Sequence, residues 1–160
     1  MSAIDHYINA IIEQAEVEAK QDGSAVVEAH HLLLAIAAHE GTAAHRALAS
    51  AGLDRQALRD ALDREFEHSL SAAGVSLASY GVPQSSPDPK RRVSVGASVR
   101  LALERGFAYA TRKKDLRPAH LLLGILGAEV GTVPRALAQT GADRTELIAH
   151  VRRTTANESW

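Results

Sequence analysis

Cysteine is absent from this 160-residue chain, which excludes disulfides, thiol nucleophiles and thiolate metal sites and suits a reducing compartment. Aromatic residues are scarce at 4%, so Leu, Ala, Val and Ile must do the packing, as closely approached helices allow. Charge of one sign is lacking too: 18 basic against 19 acidic residues leave no net field to recruit nucleic acid or an acidic membrane. No apolar run approaches the roughly 18 residues that span a bilayer. Residues 1–5 lack the basic-then-apolar pattern of a signal peptide. A soluble cytoplasmic protein is the expectation, with no nucleic-acid partner and no membrane partner.

Several chemistries are missing as well. A Gly-rich turn followed by Lys and Ser or Thr, the cradle for nucleotide phosphates, does not occur, so ATP hydrolysis is not expected. Neither a Gly-x-Ser-x-Gly elbow nor a His-Glu-x-x-His pair is present. The eight histidines invite a metal reading, but His30 and His31 are adjacent and leave a helix roughly 100° apart. His39 and His45 flank a turn and have only Glu40 beside them. No metal, no cofactor and no catalytic residue is therefore expected. Glu40 and its later counterpart Glu129 sit beside glycine turns and read as surface acids.

What the chain does have is a repetition. His31-Leu32-Leu33-Leu34-Ala35-Ile36 returns as His120-Leu121-Leu122-Leu123-Gly124-Ile125, 89 positions later. At the same offset Arg46-Ala47-Leu48-Ala49 returns as Arg135-Ala136-Leu137-Ala138, and Gly52-Leu53-Asp54-Arg55 as Gly141-Ala142-Asp143-Arg144. Several blocks in one order at one offset indicate a tandem duplication, and two copies of this length imply a pseudo-twofold domain.

Each copy reads as four helices. Asp5 is expected to cap a first helix carrying Ile8, Ile11, Ile12, Ala15 and Ala19, which Gly23 ends. A second helix is expected over 28–39, a third over 43–50 capped by Thr42, and a fourth after Asp54 with Leu58, Leu62 and Phe66. In the second copy Ser94 takes the capping place, and Val99, Leu101, Leu103, Phe107 and Ala108 supply the apolar positions. Pro118 opens the Leu-rich helix and Asp143 caps a last helix running to residue 153. The expectation is an all-α fold of eight helices in one compact domain, with no strand. Residues 1–68 form the first repeat, 69–92 a Ser/Pro-rich linker, 93–153 the second repeat and 154–160 a tail. Lys90-Arg91-Arg92 at the linker's end reads as a solvated charge run. His31 and His120, at equivalent helix starts, are expected to do structural work, bonding a neighbouring carbonyl or cap.

The order of these blocks resembles the Clp repeat, two of which make up the N-terminal domain of Clp-type AAA+ unfoldases. The resemblance covers residues 4–67 and 93–153 and implies two four-helix repeats related by a pseudo-twofold. In the unfoldases that domain docks substrates and adaptors for an ATPase module. The chain has no room for such a module, so the resemblance is to a stand-alone member or an excised domain. Some family members grip phosphoarginine with an acid just before each repeat His and a Thr opening each repeat's first helix. Here the acid positions hold His30 and Ala119, and the Thr positions hold Asp5 and Ser94. Only Ser94 is a conservative exchange, so phosphoarginine recognition in that manner is expected to be lost or strongly weakened. The position before each Thr, often aromatic in the family and part of an apolar patch, holds Ile4 and Val93. Those two serve either that patch or as hydrophobic staples beside their caps.

The resemblance implies a non-enzymatic peptide- or adaptor-binding module that acts as accessory, adaptor or decoy in the chaperone–protease system. Its partners would be a Clp unfoldase, adaptors, substrate peptides or cyclic-peptide ligands. The alternative is a helical structural or oligomerisation protein that reuses the scaffold for unrelated partners.

Overall fold

The computed structural model describes residues 1–74 and 93–158. Most of the expected linker, the Lys90-Arg91-Arg92 run and the last two tail residues lie outside that set. Among the described residues the first copy folds as α1 (Ala3–Gln21), β1 (Val26–Val27), α2 (Ala29–Ala38), α3 (Ala43–Ser50) and α4 (Arg55–Ala72). The second folds as β2 (Ser94–Val95), α5 (Ala97–Phe107), a 3₁₀ turn (Lys113–Asp115), α6 (Pro118–Leu126), α7 (Thr132–Thr140) and α8 (Arg144–Ala156). Helix α4 runs past residue 68 and α8 past residue 153. No helix among the described residues is long and apolar enough to cross a membrane.

The Leu-rich helices α2 and α6 are apolar all round because they are buried all round. Leu32, Leu33, Leu34 and Ile36, and likewise Leu121, Leu122, Ile125 and Leu126, are at most 1% exposed. Around this centre the main helix packings have their mates at the 89-residue offset. Helix α1 lies on α2 as α5 lies on α6, while α4 crosses to α7 of the other copy as α8 crosses to α3. The last helix of each repeat thus closes the other repeat, and one core serves both.

Local signals explain most of the helix ends. Thr42, Asp54 and Asp143 accept from the backbone N–H three residues on, at 3.0, 2.8 and 3.2 Å. Such caps are worth about 1 kcal/mol each. Gly52 and Gly141, equivalent in the two copies, take φ of 74° and 76° and so end α3 and α7 where a side chain would be strained.

Two expected caps are corrected. Ser2, not Asp5, caps α1, and Asp5 sits three residues inside, its Oδ2 accepting from the Ser2 N–H at 3.1 Å. Ile4 is accordingly inside the helix and in the core, not a staple before a cap. Ser94 caps nothing. It pairs with Val26 in a two-residue parallel ladder, Val26 with Ser94 and Val27 with Val95, the one departure from an all-helical chain among the described residues. Helix α5 therefore starts at the equivalent of Ile8 and is much shorter than α1. Its core face is made by Val99, Ala102 and Gly106, whereas Leu101 and Phe107, expected inside, are 52% and 44% exposed. A Cβ added to Gly124 would stand 2.1 Å from the Ala102 carbonyl oxygen, so α5 and α6 approach almost backbone to backbone. Bulky side chains have no room on that seam.

Candidate functional site

The two repeat histidines hold the starts of the central helices. The Glu28 N–H donates to Nδ1 of His31, and the Arg117 N–H to Nδ1 of His120, both at 3.0 Å. A ring nitrogen that accepts an N–H carries no proton, so each neutral imidazole carries its proton on Nε2. In the first copy that Nε2–H reaches Oδ2 of Asp22 at 2.9 Å, and His31 is 1% exposed.

Around Asp22 the first copy builds a charged network. Glu18 is wholly buried and is held by Arg55 through two parallel bonds, Nε to Oε1 at 2.7 Å and Nη2 to Oε2 at 2.9 Å. Arg59 reaches Asp22 at 3.0 Å. Burial pushes the Asp22 carboxyl up, but the His31 hydrogen bond and the Arg59 charge outweigh it and hold the group below its usual range. The second copy has none of this, since Phe107, Thr111 and Ile148 stand where Glu18, Asp22 and Arg59 stand. The first copy's start of α2 is also tied across the domain. The Ala29 N–H donates to Oγ of Ser98 on α5 at 2.9 Å, and that hydroxyl donates to Glu28.

Asp22, His30 and His31 each bring a potential ligand atom within 4.8 Å of the others. The expected divergence of the adjacent rings is overturned: their centroids are 4.1 Å apart, because long imidazole arms can converge even when their Cβ atoms do not. The chemistry still opposes a cation. To ligate through Nε2, neutral His31 would move its proton to Nδ1, against the Glu28 N–H that it now accepts, and Arg59 already neutralises Asp22.

His30 lies where two clefts meet. One, of about 400 Å³, includes Asp22, His30, Arg59, Leu62, Phe66 and Thr132 in its wall. The other, of about 530 Å³, includes His30, Leu101, Arg105, Val130, Thr132 and Pro134. They share His30 and Thr132, one from each copy, and so form one groove across the repeat junction. Phe66, Leu101 and Val130 leave 56%, 52% and 86% of their surface open there. Burial, then the neighbouring His31, pushes the His30 imidazole down to about 4, so it is neutral at neutral pH.

The other candidate residues are not gathered with His30. Ile4 and Ala119 are core residues, 4% and 0% exposed, and Val93 packs half-buried against the core. Asp5 binds Lys113 at 2.7 Å, ahead of α6, and with Ser2 this holds its carboxyl well below the usual range. Ser94 lies on Val26, ahead of α2. Each threonine-position residue therefore faces the loop that leads into the other copy's histidine helix. The spacing of Glu18 could have revealed the buried network, since it falls on the stripe of Ile11, Ala15 and Ala19. Nothing local marks Leu101, Phe66 or Val130 as neighbours of one groove.

This geometry of two interlocked four-helix copies, with a histidine capping each central helix, defines a class. The family model of the Clp repeat (R) N-terminal domain matches residues 4–91. That is more than half the chain, which belongs to this family. No curated protein sequence matches it. Among solved structures, it resembles the N-terminal domain of the caseinolytic protease associated chaperone ClpD from Arabidopsis thaliana. There the TM-score is 0.57 at 21% identity, over 91% of this chain and 89% of that one. It also resembles a chain from structural work on a malarial protein secretion system, with a TM-score of 0.63 at 20% identity over 94% and 92%. At such identities the likeness concerns the fold.

Proposed function

We propose that this domain is a non-enzymatic docking module that takes peptide segments of substrates or adaptors into the groove at the repeat junction. The observation that carries this is the open apolar surface of Phe66, Leu101 and Val130 around a cleft that both copies build. Most of its charged neighbours are already committed, Asp22 and Arg59 to each other and Glu65 to Arg135 at 2.8 Å, while exposed Glu129 stands at its edge. The module acts as accessory, adaptor or decoy to a Clp unfoldase, occupying a peptide or cyclic-peptide ligand that would otherwise reach it.

The same reading holds that phosphoarginine is not the ligand in the family's manner. Neutral His30 and buried Ala119 supply no carboxylate for a guanidinium, and Asp5 would repel a phosphate. A peptide array followed by anisotropy titration of the best apolar peptide tests the groove. Val130→Asp and Leu101→Asp should each weaken binding by about tenfold, the loss of one well-buried apolar contact. Unchanged affinity in both variants would refute the site, and saturable binding of free phosphoarginine at two sites in calorimetry would refute the second reading.

A further inference from the structure

The near-zero net charge conceals two oppositely charged halves. Residues 1–68 hold 5 basic and 12 acidic residues, whereas 93–153 hold 10 basic and 5 acidic. The difference has a focus at the second repeat histidine. In the first copy Nε2–H of His31 is met by Asp22. In the second, Thr111 occupies the equivalent position, and His120, only half-buried, keeps Nε2–H without an acid. Cations gather there instead. Arg117 is close enough that its charge, after burial, helps push the His120 imidazole down. Its guanidinium is pre-positioned by bonds from Nη1 to the carbonyls of Lys114 and Leu116, at 2.8 and 3.2 Å, which leave its other N–H groups to a ligand. Tyr109 stacks parallel to His120 with centroids 6.0 Å apart, and Arg152 lies 6.0 Å over the same Tyr109 ring. The nearby acids are spoken for: Asp115 by Arg112 at 2.9 Å and Asp5 by Lys113 at 2.7 Å. On α8 no acid stands three or four residues from Arg152. Among the described residues neither Arg117, His120 nor Arg152 forms an ion pair, although the Asp115 carboxylate, bound to Arg112, also feels the Arg117 charge.

We infer that the surface formed by Tyr109, Arg117, His120 and Arg152 is a docking site for an acidic peptide segment, whose carboxylates take the place that Asp22 fills in the first copy. A run of acids suits it better than a single anion, because its two arginines come from different elements, Arg117 from the start of α6 and Arg152 from α8, with Tyr109 and His120 beside them. The site is separate from the junction groove and stands whether or not that groove binds apolar peptides.

Fluorescein-labelled hexaglutamate, titrated by anisotropy into the whole chain, tests the inference, with hexaglutamine as control. Saturable binding of hexaglutamate alone is expected, weakening as salt rises. Arg152→Gln and Arg117→Gln should each weaken it by about tenfold, as loss of a charge-assisted hydrogen bond does, while Arg46→Gln on the first copy should not. In the unaltered protein the His120 imidazole nitrogen signals should move on titration and those of His31 should not. This readout does not depend on any variant folding. No saturation, equal affinity of the two arginine variants and the parent, or imidazole shifts at His30 in place of His120 would each overturn the inference. So would a salt-sensitive dimer that loses stability in Arg152→Gln while hexaglutamate fails to bind, since the occupant would then be a second copy.

Discussion

Gly124→Ala tests the seam between α5 and α6, where two effects of opposite sign compete. Gly124 lies inside α6, where alanine is favoured over glycine by about 1 kcal/mol. At an ordinary helical position the substitution therefore stabilises. Here the new Cβ would meet the Ala102 carbonyl oxygen at 2.1 Å and the Gly106 nitrogen at 2.7 Å. These are backbone atoms, which no rotamer change can move aside. Restoring contact at 3.4 Å or more requires α5 and α6 to separate by about 1 Å along a core at close-packed density. Overpacking of this kind costs about 1–3 kcal/mol even when side chains can adjust, so a backbone clash belongs at or beyond the upper end. The clash should win, with a net loss of about 2 kcal/mol or more and a fall in Tm of about 4–8 °C. Urea unfolding followed by circular dichroism measures it. Gly127→Ala is the companion: its nearest atoms, in the flexible Arg105 side chain and the Leu123 carbonyl, all stand at 3.3 Å and not in hard overlap, so it should stay within about 1 kcal/mol of the parent. If Gly124→Ala is as stable as the parent or more so, the close approach of the two helices is wrong.

Arg55→Ala should cost about 2–3 kcal/mol, because it leaves the buried Glu18 carboxylate with only Gln14 at 3.2 Å and Arg59 at 3.9 Å, the loss being moderated by those two and by the 36% exposure of the arginine. The double substitution Glu18→Leu, Arg55→Leu should recover most of that stability in the same urea assay, and failure to recover would show that the pair does more than satisfy itself. Stability should also depend on pH through His30. Its folded value is lowered to about 4 from 6.5, so the unfolded chain binds the proton more readily between those limits. The contribution is complete above pH 6.5 and is lost as the pH falls towards 4, by at most about 3 kcal/mol. His120 is lowered too and acts with the same sign, so His30→Gln should flatten the urea midpoint against pH without levelling it. An unaltered slope in that variant would place the titration elsewhere.

How much of this was readable depended on how local each signal is. The histidine–leucine blocks, the Thr42, Asp54 and Asp143 caps and the glycine stops at 52 and 141 each act within a turn or two, and all are where the spacing put them. Ser2 is masked in the sequence because Asp5 is itself a good capping residue, and the two form a reciprocal box in which either alone looks sufficient. The β1–β2 ladder is too short for any alternation to register. Phe66, Leu101 and Phe107 looked like core because the pattern marks apolar residues without saying whether a neighbour approaches closely enough to cover them. At the α5 seam the neighbour is so close that only Ala102 and Gly106 fit.

The candidate site divides along the same line. His31 and His120 could be given a structural role at helix starts from position alone, since a ring three residues into a helix can reach the first N–H. What differs between them, Asp22 on one and the Tyr109, Arg117 and Arg152 surface on the other, depends on which loops and helices return to those rings.

By itself the sequence determined the duplication, the eight helices and the family, because these rest on periodicity, capping and repeated order, all local along the chain. Only the tertiary structure decided that the last helix of each copy also packs against the other copy, that His30 joins two clefts into one groove and that the second histidine lies beside cations with no acid bonded to it. Those are contacts between residues tens of positions apart, and no local preference of the backbone encodes them.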